Sequence, residues 1–154
     1  MKLTSLLILL LLAQLLSAQI FTEVLGTPFD SVNYSSIAFA DVNGDGHQDV
    51  LITGQKYLRQ PPGIITKLYT NDGTGTFTEV LGTPFQAVAN GSIAFADVNG
   101  DNHQDVLITG DTTFSANTVG VAKLYTNDGT GTFEALQVAG LAEVEVIARI
   151  EAAE

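Results

Sequence analysis

Along residues 21–132, apolar residues come in runs of about five, separated by clusters of Gly, Asn, Asp and Thr. Runs of that length with turn signals between them predict β-strands. In the first half of this stretch, four are expected. The first lies around Phe21–Leu25. The second, Ser36–Asp41, sets Ile37 and Phe39 on one face and small alanines on the other. The third, Asp49–Thr53, is apolar almost throughout, as suits a strand buried on both faces. In the fourth, Thr66–Thr70, Leu68 points away from Lys67 and Tyr69. Asn71-Asp72-Gly73 then offers the positive-φ residues of a tight hairpin before Phe77.

The pattern repeats. Residues 21–76 and 77–132 align without a gap at a period of 56, with 38 identities. The differences fall at 30–35, at Gly46 and at 55–66, so these two windows are expected to be loops. A third copy starts at Phe133 and fades within a few residues, leaving 133–154 as a partial repeat or divergent tail. Val144, Val146, Ala148 and Ile150 alternate there as in a strand, while the Ala and Glu content also suits a helix. The fold class expected is all-β, with two tandem 56-residue units and a partial third.

Residues 1–18 differ from everything after them. Lys2 precedes an apolar run from Leu6 to Leu16, and Ser17-Ala18 follow. This is the form of a secretory signal peptide cleaved after Ala18, and the run is short for a membrane span. The protein is therefore expected to be secreted or displayed at the cell surface, with no span after cleavage. Removing the leader leaves five basic and 17 acidic residues. A nucleic-acid partner is excluded, because counterion release needs clustered Lys and Arg. With no cysteine, neither disulfides nor thiolate sites contribute.

The chemistry concentrates in one loop per unit, Asp41-Val42-Asn43-Gly44-Asp45-Gly46-His47-Gln48-Asp49. Its copy is Asp97-Val98-Asn99-Gly100-Asp101-Asn102-His103-Gln104-Asp105. Oxygen side chains stand at positions 1, 3, 5 and 9, and position 7 is free to offer its carbonyl. A hard cation such as Ca²⁺ takes about six to eight oxygens at roughly 2.3–2.6 Å, and a curled loop can turn alternate residues inward to supply them. Mg²⁺ suits the loop less, since it demands rigid octahedral geometry. Two Ca²⁺ ions, one per unit, are expected. Asn102 replaces Gly46 in the second loop and tolerates positive φ less well, so that site should be slightly strained or slower to form. An EF-hand loop would close with an acid at position 12. Here Ile52 and Ile108 stand at that position, inside apolar runs.

The stretch Phe39-Ala40-Asp41-Val42-Asn43-Gly44-Asp45-Gly46-His47-Gln48-Asp49-Val50 resembles the FG-GAP repeat, also described as the VCBS-type repeat. Leu68-Tyr69-Thr70-Asn71-Asp72-Gly73 and Gly75-Thr76-Phe77 share in the resemblance. It implies one four-stranded β-propeller blade per repeat, as in integrin α heads. The ligands it implies are Asp41, Asn43, Asp45, the His47 carbonyl and Asp49. In the second repeat they are Asp97, Asn99, Asp101, the His103 carbonyl and Asp105. A propeller ring takes about four to eight blades. Two units therefore imply a fragment of a longer protein, a ring of several copies, or an open stack, and the abrupt end of the pattern favours truncation.

No catalytic constellation emerges. His47 and His103 occupy carbonyl-donating loop positions, and carboxylates held ionised by a cation cannot serve as general acids. The expectation is a non-catalytic adhesion or interaction module with an extracellular protein or glycan as partner. Its alternatives are the propeller part of a larger secreted carbohydrate-active enzyme and a self-assembling surface or fibre protein. Unpaired blade edges would support a homo-oligomer. Asn33-Tyr34-Ser35 and Asn90-Gly91-Ser92 are glycosylation sequons. The windows at 30–35 and 55–66 are the candidate ligand-contact segments.

Overall fold

The computed structural model describes residues 21–56, 63–113 and 120–136. The expected leader at 1–18 and the tail from 137 onward lie outside the described residues. So does the middle of the second variable window, at 57–62 and 114–119.

Two antiparallel sheets of four strands form, and no helix occurs among the described residues. The first contains β1 (Asn33–Ala40), β2 (Asp49–Lys56), β3 (Gly63–Asn71) and β4 (Phe77–Glu79). The second contains β5 (Ala89–Ala96), β6 (Asp105–Asp111), β7 (Gly120–Asn127) and β8 (Phe133–Ala135). Each sheet is a simple meander in chain order, the arrangement of a propeller blade, and the two sheets do not close into a ring.

The hydrogen-bonded unit is offset from the sequence period. Phe77–Glu79, which begins the second sequence repeat, closes the first sheet by pairing with Tyr69–Asn71 of β3. Phe133–Ala135 closes the second sheet in the same way. The strand expected around Phe21–Leu25 is not formed, although its sequence is that of β4. So short an edge strand owes its existence to the neighbour it bonds to, and no β3 precedes Phe21 among the described residues.

The variable windows are only partly loops. Gln55 and Lys56 pair with Ile64 and Gly63, so the β2–β3 hairpin reaches into the second window. The first window contributes Asn33 and a β-bulge in β1, where two residues stand opposite Gly54. Tyr34 and Asn90 take positive φ there. Backbone pairing at hairpin ends tolerates side-chain change, which is why sequence variation marked these segments without excluding strand.

Each sheet has two apolar faces. In the first, Val50, Ile52 and Tyr69 point one way and are covered by Phe29, Val32 and Phe77. Phe29 meets Tyr69 edge-on with ring centroids 5.1 Å apart. Ala40, Leu51 and Leu68 point the other way, against Ile93, Val106, Ile108 and Tyr125 of the second sheet. With both faces covered, β2 is buried over nearly its whole length. Full burial of each such side chain contributes about 1.5–3 kcal/mol, so this junction holds the two sheets as one body. They approach most closely along β1 and β5, as the inner strands of adjacent propeller blades do.

Candidate metal loops

The nine-residue loops join β1 to β2 and β5 to β6, with Ala40 paired to Asp49 and Ala96 to Asp105 at their bases. Each is curled by its own side chains. Asp41 accepts the amides of Gly44 at 2.8 Å and Gly46 at 2.8 Å, and Asp97 accepts those of Gly100 at 2.7 Å and Asn102 at 2.9 Å. Asp45 accepts the His47 amide and the Asn43 side chain, and Asp101 is held likewise by His103 and Asn99. The amide donors of Asn102 and Gly100 bring the Asp97 carboxyl below its ordinary range. The His47 amide and Asn43 do the same for Asp45. Hydrogen bonds to an ionised carboxylate favour that form.

The ninth position behaves differently. Asp49 and Asp105 are fully buried. Asp49 accepts Val42 N at 3.1 Å and Asn71 N at 2.8 Å, and Asp105 accepts Val98 N at 3.0 Å and Asn127 N at 2.9 Å. This residue therefore brackets the start of the loop to the β3–β4 or β7–β8 hairpin. Burial pushes the Asp49 carboxyl up despite those two amides, and Asp45 and Asp41 push it further through repulsion.

The hairpin is the part of the site that motif reasoning missed. Asn71 bonds to Gln48 O through its side chain and accepts the Gly73 amide. Positive φ falls on Gly73 and Gly75, not on Asn71 or Asp72, so the turn is longer than the tight hairpin expected. His47 is exposed, and its ring lies over Gly73, where a Cβ would overlap the imidazole. His103 and Gly129 repeat the arrangement. The available signals were that this hairpin is identical in both repeats and shares in the FG-GAP resemblance.

All ten expected ligand residues therefore sit together in two matching loops at one end of the strands. Among the described residues, no three acidic or imidazole side chains already converge as a metal cage, because the carboxylates are turned onto loop amides. Each of these aspartates has at least one oxygen that accepts a single hydrogen bond and keeps a second lone pair, and every donor in the set is an oxygen. The set thus fits a hard cation. Asn102 takes φ 67°, beside φ 85° at Gly46, so the second loop does hold a non-glycine residue in the left-handed region.

The loops differ in surroundings. Asn127, from the second sheet's hairpin, donates to Val42 O at 2.8 Å. The first loop is thereby seated at the junction between the sheets, while Val98 of the second loop faces outward. No curated protein and no solved structure matches the chain. Family models do: an FG-GAP repeat matches residues 33–59, which include the first loop, and an FG-GAP-like repeat matches 55–108, which include the second. With both loops inside these matches and two four-stranded meanders in sequence, the chain is an FG-GAP repeat protein.

Proposed function

We propose that this protein is a secreted, non-catalytic adhesion or interaction module whose two loops each bind one structural Ca²⁺. Repeats of this family are typical of extracellular and surface proteins, which agrees with the leader sequence. The observation carrying the calcium assignment is the buried Asp49 at the end of an oxygen-rich loop. Its neighbouring charges, Asp41 and Asp45, are both repulsive. A cation among the three converts that repulsion into attraction. Asp41, Asn43, Asp45, the His47 carbonyl and Asp49 would hold the first ion. Asp97, Asn99, Asp101, the His103 carbonyl and Asp105 would hold the second.

The module is read as non-catalytic because the loop carboxylates are assigned to the cations. A hollow of about 400 Å³ beside the loops is lined by Phe39, Phe95, Gln48, Gln104 and Asp41, together with two alanines. Asp41 is its single titratable group, and it belongs to the metal set. The variable windows instead gather at the opposite end of the strands, where Asn33 pairs with Gln55. Strands of this length put roughly 20 Å between the two ends. We assign contact with an extracellular protein or glycan to that variable end. Asn90 is exposed there and Asn33 half-buried, so Asn90 is the better placed of the two sequons for a glycan.

Extracellular modules bind calcium at roughly 10⁻⁴–10⁻³ M. At ~1 mM Ca²⁺ and a Kd of ~0.1 mM, one site stabilises the fold by ~1.4 kcal/mol. The test is to count bound ions by native mass spectrometry and to melt the protein in calcium and in EGTA. The unaltered chain should carry two ions, and Asp45→Ala and Asp101→Ala one each. Each substitution should remove about half of the calcium-dependent rise in Tm. No bound calcium in the unaltered chain, or the same loss of Tm in both buffers, would refute the assignment.

A further inference from the structure

We propose that this chain assembles head to tail with further copies of itself through the faces of its sheets. The leading face of β1 in one copy would dock on the trailing face of β5 and β6 in the next. The template is an interface already present inside the chain. There the leading face of the second sheet, with Ile93 and Phe95, packs on the trailing face of the first, with Ala38, Ala40, Val42 and Leu51. The two repeats carry the same residues at all these positions. Each chain therefore presents one unused copy of both halves of that junction.

Exposure measures the unused halves. Ile37 is 57 % exposed where its counterpart Ile93 is 9 %, and Phe39 is 59 % exposed where Phe95 is partly buried. On the trailing side Val98 is 38 % exposed where Val42 is 1 %. Ala94 and Ala96 are exposed where Ala40 is buried and Ala38 packs against the core. Small residues on one side and Ile with Phe on the other make complementary surfaces, and neither side carries a charge at these positions. The anchoring hydrogen bond is also duplicated in sequence. Asn127 donates to Val42 O within the chain, and Asn71 of a second copy has the same relation to Val98 O.

The contact between copies is expected to be weaker than its internal template. Thr66 links the sheets by donating to Gln86 O at 2.9 Å and accepting from Val88 N at 3.3 Å. Its counterpart on the free face is Ala122, which can do neither. Asp30 takes the place of Gln86, but it arrives already paired with Lys56 and Lys67, so no bare charge is buried. Assembly should therefore depend on concentration. An interface of this head-to-tail kind closes into a ring if its rotation allows and otherwise extends as a filament. The strand edges that the sequence suggested for association play no part in it.

The test is sedimentation velocity of the purified chain from ~1 to ~100 µM, with two single variants. Phe39→Asp disables only the leading face and Ala96→Glu only the trailing face. Both side chains are exposed, so each variant should keep the unaltered far-ultraviolet spectrum. The unaltered chain should gain mass in whole-chain steps as concentration rises. Each variant alone should stay monomeric, and an equimolar mixture should form a dimer and stop there, because one intact junction remains. A monomer at every concentration would mean that these faces are covered by other parts of the chain or left bare, and would overturn the proposal. So would assembly undiminished in either variant, or a mixture that stays monomeric.

Discussion

The seating of the first loop between the sheets can be tested by comparing two asparagines that differ in little else. Asn71 and Asn127 occupy the same place in identical hairpins, and each donates its backbone amide to a buried aspartate, which Ala would preserve. Asn71→Ala removes a 3.2 Å bond to Gln48 O and a 3.1 Å bond from Gly73 N. Asn127→Ala removes the matching pair, a 3.2 Å bond from Gly131 N and the 2.8 Å bond to Val42 O. Val42 is buried, so its carbonyl would be left without that partner. An ordinary hydrogen bond contributes about 0.5–1.5 kcal/mol, and a buried polar group left unpaired costs about 1–3 kcal/mol. Asn71→Ala should therefore cost ~1–2 kcal/mol and Asn127→Ala ~2–4 kcal/mol. For a folded unit of this size, each kcal/mol lowers Tm by about 4 °C. Thermal denaturation followed by circular dichroism at ~1 µM, dilute enough to suppress association between copies, should show Asn127→Ala melting several degrees below Asn71→Ala. Equal shifts would mean that the Val42 bond does not hold the sheets together, and the account of the junction would fail.

Three further outcomes follow from the same geometry. Asp30 is buried enough to push its carboxyl up, but hydrogen bonds from Lys56 and Lys67 outweigh this and bring it below 3.8. The second repeat has Gln86 there, so Asp30→Gln copies a residue the fold already accepts. A lowered folded pKa means stability that is fully present above the unfolded value and lost as pH falls through the folded one. Urea titrations should accordingly show Asp30→Gln costing about 1–2 kcal/mol at pH 7, a gap that closes as pH falls through the lowered folded pKa. A gap unchanged by pH would refute the ion-pair reading. Asn102→Gly should stabilise by about 0.5 kcal/mol in calcium-free buffer by relieving its positive φ, and Gly46→Asn should do the reverse; chemical denaturation reads both. Gly73→Ala meets both φ 80° and the His47 ring, so His47→Ala should recover part of its loss in Tm but not all of it. Full recovery would remove backbone strain from the explanation.

Much of this protein was legible in the chain because its information is local and written twice. A duplicated loop with oxygens at fixed spacing, and glycine where the backbone must curl, reads without knowing what surrounds it. The same holds for Ile37 and Phe39 alternating with alanines, and for β2 as an apolar run. Other features depend on neighbours that sequence does not name. Phe21–Glu23 and Phe77–Glu79 are identical, yet only the second forms a strand among the described residues, because only it has β3 beside it. Asp49 reads as one more ligand in the motif. Only the folded hairpin, with Asn71 N against one oxygen and Val42 N against the other, makes it a buried bracket. Likewise Ile37 and Ile93 are the same residue in the same local pattern. One is covered by a neighbouring sheet and the other is not, and a difference of that kind exists only in the tertiary structure.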